Sequence, residues 1–266
     1  MEIPQPLNHP DASGHPPLIP VRDDVGLCLY EKVRVDGLVI SIALMLAYGI
    51  NREGSREILA IEPMYDESEA SWREFFRKLK AQGVQNICLC ISDAHLGIQN
   101  ALKKEWIGSS WQRCKVHFMR NIMARVPHRD KSHFAERLKQ IWLQPDKRSA
   151  LSVAERMIHD YGIRFPEAIK CLEDGLEDSL QFYEFPQIDK RRISSTNVVE
   201  RIIREIRRRS RVIGVFPNKE SYVRLITCYL IEYPEDWVNE RSYIKRENII
   251  VALEARDRLL ETSAAC

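Results

Sequence analysis

The sequence predicts an α/β protein: a strand-rich first part, then a long helical block and a helical C-terminal part. Three observations carry that reading. Residues 27–35 and 38–48 are rich in β-formers and meet at Asp36-Gly37, a pair suited to a tight hairpin. Residues 86–91 form a short apolar run that stops abruptly at Ser92-Asp93, as a buried strand does where it reaches solvent. From Phe118 to about Glu184 apolar residues recur at helical spacing, interrupted at Pro127, Pro145 and Pro166.

Composition sets the bounds. A chain of 266 residues with 44% apolar and 29% charged residues has the make-up of a globular protein and can bury a sizeable core. The longest apolar stretch, residues 38–48, contains Ser41 and is too short for a membrane span, so no membrane partner is expected. The N-terminus lacks a basic segment followed by an apolar one, so no secretory signal is read there. Seven irregularly spaced cysteines argue against a disulfide framework and for a reducing cytoplasm. A net charge of +2, taken as an average, speaks against a protein that simply coats nucleic acid.

The elements follow in order. Six of the 13 prolines fall in the first 20 residues, so residues 1–24 read as an irregular leader. Strands are expected at 27–35, 38–48 and 57–64. The second of these is almost continuously apolar, as in a strand covered on both faces. A helix then starts after Asp66 or Ser68, with Trp72, Phe75, Phe76 and Leu79 as its apolar stripe, and ends at Gly83. The strand at 86–91 would place Cys88 and Cys90 on one face. A helix at 96–104 and a strand at 111–116 follow, then the helical block, then helices at 197–209, 220–231 and 247–261. Three strands, a helix, and a strand ending in an aspartate match the start of an RNase H-like fold. The expected division is a leader (1–24), the first part of the core (25–117), a helical insertion (118–190), and a basic helix with C-terminal helices (191–266).

Three constellations could carry chemistry. Asp93 ends a strand, where a rigid scaffold can present a carboxylate; the plainer reading is that it caps the next helix together with Ser92. Cys114-Lys115-Val116-His117 is half of a zinc motif, but no second pair with suitable spacing lies nearby in sequence, so a hydrogen-bonded Cys/His pair is the simpler reading. Nor does the sequence offer a third group that would make Cys114 and His117 a nucleophile and base. The segment 187–212 holds nine Lys/Arg against three Asp/Glu, a surplus of six, so the rest of a chain of net charge +2 carries −4. Arginine concentrated on one helix suits phosphate, with a solvated basic face as the bland alternative. Within it, Glu200, Arg204 and Arg207 share a helix face.

Three segments then become familiar. ISDAHLGIQNAL (91–102), SSWQRCKVHFMRN (109–121) and SSTNVVERIIREIRRRSRVIGVFPN (194–218) resemble, in this order, the Mutator-like transposases of bacterial insertion sequences. The resemblance covers most of the chain from about Leu29. It implies an RNase H-like (DDE transposase) core with a long α-helical insertion, and a triad of two aspartates and a glutamate that holds Mg²⁺. It implies phosphoryl transfer: DNA binding at the element's ends, then strand cleavage and transfer. The family's second aspartate falls on Asp93 and its glutamate on Glu200, both as metal ligands. The family's basic residue seven positions after that glutamate falls on Arg207, and its signature on His95, Cys114 and His117; with the concentration of arginine on this helix, DNA contacts are expected at Arg201, Arg204, Arg207, Arg208, Arg209 and Arg211. The implied partners are DNA, as terminal inverted repeats and target, and further copies of the chain. The implied location is the cytoplasm, on the nucleoid when DNA is bound.

The sequence departs from the pattern at the first aspartate. Tyr30-Glu31-Lys32-Val33-Arg34 matches the stretch that follows it, but Leu27 stands three residues before Tyr30, in the aspartate's place. Ile203 stands where the family often has asparagine. Asp23 and Glu31 share strand parity with Leu27 but lie four residues away, roughly 13 Å along a strand; Asp24 has the other parity, and Asp36 is in a turn. The expectation is a chain truncated at its N-terminus and impaired in catalysis, whose alternative role is to bind DNA, or an intact transposase, as a regulator.

Overall fold

The long strand β3, Leu38–Ile50, organises the sheet. The computed structural model describes residues 19–22, 29–84, 87–232 and 243–264. Residues 42–50 of β3 are all buried. The strand's two-residue period divides them between two apolar clusters. Ile42, Leu44, Leu46, Tyr48 and Ile50 join the larger one, and Met45 and Ala47 the smaller. Both faces are covered, which is why the sequence shows an apolar run instead of alternation.

Strand β2, Leu29–Val35, returns antiparallel to β3 with Val35 opposite Leu38. The two-residue turn between them has φ of 49° at Asp36 and 80° at Gly37, the left-handed pair that suits the twist of a hairpin. Strand β4, Arg56–Met64, pairs antiparallel with β3 from Ala43↔Met64 to Ile50↔Arg56. Ala43 and Leu44 have partners in both β2 and β4, so those strands take opposite edges of β3.

The sheet continues through β1, Ile19–Arg22. It pairs antiparallel with β3 (Val21↔Ala47) and parallel with β5, Leu89–Ser92 (Ile19↔Cys90). Strand β6, Ser110–Arg113, adds parallel to β5. β1 and β2 share one edge of β3: Arg22 faces Leu46 and Leu29 faces Leu44. The order in space is therefore β4, β3, β1 with β2, β5, β6. Three sequential strands pair antiparallel and two follow in parallel. Part of the leader expected to be irregular is thus a strand. Ile19 and Val21 are β-branched, and an extended backbone accommodates the fixed φ of Pro20 at the cost of one ladder donor.

Helix α1, Glu69–Ala81, begins at Ser68, whose hydroxyl accepts the Ser71 amide (3.2 Å). Its stripe Trp72, Phe75, Phe76 and Leu79 is fully buried in the smaller cluster, against Ile98, Ala101 and Leu102 of α2, Leu96–Glu105. Cys88 and Cys90 do not share a face as expected. The strand begins at Leu89, and Cys88 joins the larger cluster while Cys90 joins the smaller.

The opposite face carries the helical block: α3 (Lys115–Met123), α4 (Lys131–Leu143), α5 (Lys147–Tyr161) and α6 (Pro166–Glu173). Pro166 opens α6 at its first turn, where no amide donor is required. A 3-10 segment, Glu177–Glu184, runs along β6. Gln112 on β6 ties the two together: its Nε2 donates to the Ser179 carbonyl (2.9 Å) and its Oε1 accepts the Phe182 amide (2.8 Å). The short α7 (Lys190–Ile193) leads to α8, Asn197–Ser210, then α9, Lys219–Glu232, and a last helix, Arg246–Ala264. Between α8 and α9, Phe216 bridges to β2: it donates its amide to the Lys32 carbonyl (2.8 Å) and accepts from Arg34 (2.9 Å). Among the described residues no helix is long and apolar enough to cross a membrane. Cys88, Cys90, Cys114, Cys171 and Cys228 are all free thiols.

Candidate active site

Asp93 follows β5 directly, and the plain reading that it caps the next helix fails. The cap of α2 is His95, whose Nδ1 accepts the Gly97 amide (3.2 Å). Ser92 does not cap either: its hydroxyl donates to the Asp93 carbonyl (2.8 Å) and accepts from the Trp111 indole (2.8 Å). The Asp93 side chain, 12% exposed, turns instead to His117.

His117 sits in the first turns of α3. The entry to that helix is held on two sides. The Cys114 amide donates to the Ser92 carbonyl (2.8 Å), extending the β5–β6 pairing by one residue. The Lys115 amide donates to the Ser194 carbonyl (3.0 Å), which docks the segment preceding α8 onto the start of α3. Thr196 holds the N-cap position of α8, but its hydroxyl makes no capping bond and donates to the Cys114 sulfur (3.4 Å). Of the Ser194-Ser195-Thr196-Asn197 segment, one hydroxyl thus serves the site. One helical turn on from Thr196, Glu200 faces inward.

The three side chains meet. His117 Nδ1 lies against Asp93 Oδ1, and His117 Nε2 is 2.7 Å from Glu200 Oε1. The imidazole is 5% exposed and the Glu200 side chain 14%. Burial pushes the imidazole's pKa down, but its bonds to Asp93, Cys114 and Glu200 outweigh that and hold it at about 11. The ring is therefore a buried imidazolium between two carboxylates. Burial pushes the Cys114 thiol up; the neighbouring His117, with Thr196, more than offsets this and leaves it below its ordinary value. The ligand atoms of Asp93, Cys114 and His117 all lie within 4.8 Å of one another, a spacing that can close on a metal ion.

Of the residues singled out in the sequence, Asp93, Cys114, His117 and Glu200 come together, and His95 stands aside as a helix cap. Glu31 accepts a hydrogen bond from the Ser210 hydroxyl. Leu27, Asp23 and Asp24 lie outside the described residues. The basic helix divides. Arg201, Arg204 and Arg211 are exposed and Arg207 is half-buried. Arg208 forks onto Glu205 with both Nε contacts at 3.0 Å. Arg209 reaches Glu205 (3.5 Å) and Glu232 (3.4 Å) and covers the Tyr229 ring at 4.4 Å. That Asp93 and Glu200 approach one another is what the family resemblance implied; that His117 lies between them had no local signal, because the three lie on separate elements.

With this geometry in place, comparison with known proteins is informative. The sequence profile described as "Transposase, Mutator family" matches residues 26–240. The chain is 40% identical over 219 residues to the transposase for insertion sequence element IS256 in transposon Tn4001 of Staphylococcus aureus, covering 81% of this chain and 56% of that protein. It is 36% identical over 234 residues to the transposase for insertion sequence element IS1081 of Mycobacterium tuberculosis, covering 88% and 56%. It is 33% identical over 220 residues to the transposase for insertion sequence element ISRM5 of Rhizobium meliloti, covering 83% and 55%. The chain thus spans about half the length of these curated relatives, 55–56%. A profile match across most of the residues, including every segment that builds the site, places this chain in the Mutator family of transposases.

Proposed function

We propose that the chain carries the core of a DDE-type DNA transposase, in which Asp93 and Glu200 are the second and third carboxylates of the metal-binding triad. The observation that supports this best is the convergence of these two carboxylates on one buried imidazole from β5 and α8. The strand order supports an RNase H-like core: β1 and β2 along one edge of β3 and β4 along the other, all antiparallel to it, then β5 and β6 in parallel, and a carboxylate directly after β5. Under this reading the helical block between α3 and α7 is an insertion, and α8 completes the site.

The donors fit a divalent cation in part. Asp93 and Glu200 offer the hard oxygens that Mg²⁺ takes, and the pocket is already arranged around positive charge, because an imidazolium lies between them. Such a cation supplies charge stabilisation for in-line displacement at phosphorus. The chain's own residues do the rest. Asp93 and Glu200 are fixed by buried surroundings and bring negative charge to one point. His117 balances that charge while the pocket holds no other cation. The exposed Arg201 and Arg204 lie on the helix that carries Glu200 and Arg211 follows its end, where guanidinium groups can take flanking phosphates of a bound strand.

Leu27 supports a second reading, a chain that binds DNA or an intact transposase without cutting. The test separates the two. DNA carrying the element's terminal inverted repeats is incubated with the chain and Mg²⁺, and with Leu27→Asp, Asp93→Asn and Glu200→Gln variants. Cleavage that depends on Asp93 and Glu200 supports the transposase core. A salt-dependent mobility shift with no cleavage in any variant supports the binding protein. Cleavage indifferent to both Asp93→Asn and Glu200→Gln overturns the assigned carboxylates.

A further inference from the structure

In sequence, Cys114-x-x-His117 is half of a metal motif without its partner. In the fold, Asp93 lies beside this pair. Cys114 and His117 are 0% and 4% exposed and Asp93 9%, and their donor atoms lie within 4.8 Å of one another. A tetrahedral ion with ligands at about 2.0–2.3 Å sets those atoms roughly 3.3–3.8 Å apart. Side-chain adjustment, with Asp93 and His117 easing apart, brings the three donors to that spacing.

We propose that Asp93, Cys114 and His117 form a site for a borderline divalent cation of the zinc type, with Glu200 as its orienting carboxylate and a fourth position left open. The donor chemistry selects the ion. A thiolate, an imidazole and one carboxylate suit Zn²⁺ or Co²⁺, whereas Mg²⁺ requires oxygen donors. The ring geometry is also that of a metal-binding histidine. Nδ1 faces Asp93, while Nε2 is 2.7 Å from Glu200 Oε1. A ligating histidine characteristically gives its second N–H to a carboxylate, which fixes the tautomer and the ring's orientation. Thr196, at 3.4 Å from the sulfur, supplies a hydroxyl donor that stabilises a thiolate. The amide of His117, in the first turn of α3, adds a backbone donor at the sulfur.

One consequence rests on the proposed function: the zinc-type ion takes Asp93 from the Mg²⁺ site, so the two metals exclude each other and Zn²⁺ inhibits cleavage. Binding itself does not depend on that reading.

The experiment is a Co²⁺ titration of the whole reduced chain, followed by absorption, with Zn²⁺ and Mg²⁺ as competitors. The expected result is one equivalent of Co²⁺ giving a thiolate-to-cobalt charge-transfer band and tetrahedral-type d–d bands. Stoichiometric Zn²⁺ should abolish both, and millimolar Mg²⁺ should leave them in place. Cys114→Ser should remove the charge-transfer band and weaken binding at least tenfold. Asp93→Asn, which leaves the thiol intact, should keep the band but weaken binding by a similar factor. If Cys114→Ser does not fold, as judged by circular dichroism, Cys114→Ala and Asp93→Asn decide. A folded wild-type chain without a charge-transfer band overturns the proposal, as does a band that survives Cys114→Ser or Cys114→Ala unchanged. A band that behaves as expected in a chain that never cleaves DNA leaves the metal site standing and removes only the catalytic reading.

Discussion

Replacing His117 by alanine removes the cation from between two carboxylates. The side chains of Asp93 and Glu200 are 12% and 14% exposed, so water replaces the lost partner poorly. Breaking a buried ion pair by removing one member costs about 3–5 kcal/mol, because an uncompensated charge stays behind. A chain of this size loses roughly 2–4 °C of melting temperature per kcal/mol, so His117→Ala should lower Tm by about 6–20 °C near neutral pH. The pH dependence has a definite sign. The imidazole's pKa rises from 6.5 to about 11 on folding. Its contribution is complete below pH 6.5 and is lost as pH climbs through 11, so the gap between wild type and variant should narrow above neutrality. Adding Glu200→Gln to His117→Ala should recover part of the loss, since one of the two unbalanced charges disappears. Thermal unfolding by circular dichroism reads all three proteins. A Tm change below about 2 °C for His117→Ala, or a further drop in the double variant, would refute the buried imidazolium.

Other predictions concern the frame and the basic helix α8. Gln112→Ala leaves the Ser179 carbonyl and the Phe182 amide without their partner and opens a cavity under β6. A loss of about 2–4 kcal/mol is expected in a urea titration, and a loss below 1 kcal/mol would contradict the tie between sheet and helical block. Gly54→Ala should destabilise the chain strongly. Gly54 has φ of +80° and an added Cβ would lie 1.7 Å from the Ile244 carbonyl oxygen, so a variant melting like wild type would contradict that contact. Arg201→Gln with Arg204→Gln should weaken DNA binding and flatten its salt dependence by about two units of slope, measured by fluorescence anisotropy. Arg208→Gln should change that slope by less, since Glu205 already holds its guanidinium.

What could be read from the sequence was what local physics decides. The Asp36-Gly37 hairpin, the stripe of α1 and the apolar run of β3 each carry their own signal in turn chemistry or periodicity. β1 did not, because six prolines in the first 20 residues outweighed the β-branched Ile19 and Val21, and only pairing with β3 and β5 makes that strand worthwhile. The parity argument for Cys88 and Cys90 failed because it assumed a strand reaching Cys88, whereas the strand begins at Leu89. In the site, residue types were legible and partnerships were not. Asp93 looked equally like a cap until His95 was found to fill that role. Cys114-x-x-His117 looked incomplete because its partners lie on β5 and α8. The arginines of α8 read as one patch, but only the structure separates Arg201, Arg204 and Arg211 from Arg208 and Arg209, which acidic neighbours engage.

The central claim is that Asp93 and Glu200, far apart in sequence, hold one divalent cation. Fe²⁺-directed backbone cleavage tests it without requiring DNA chemistry. Fe²⁺, ascorbate and peroxide are added to the chain, and the fragments are sized by mass spectrometry. The account predicts cuts next to Asp93 and next to Glu200 in the same preparation, the Glu200 cut being suppressed by excess Mg²⁺ and lost in Glu200→Gln, while cuts near Cys114 and His117 that resist Mg²⁺ belong to the zinc-type site. No cut next to Glu200, or a Glu200 cut unchanged by Mg²⁺ and by Glu200→Gln, would contradict it.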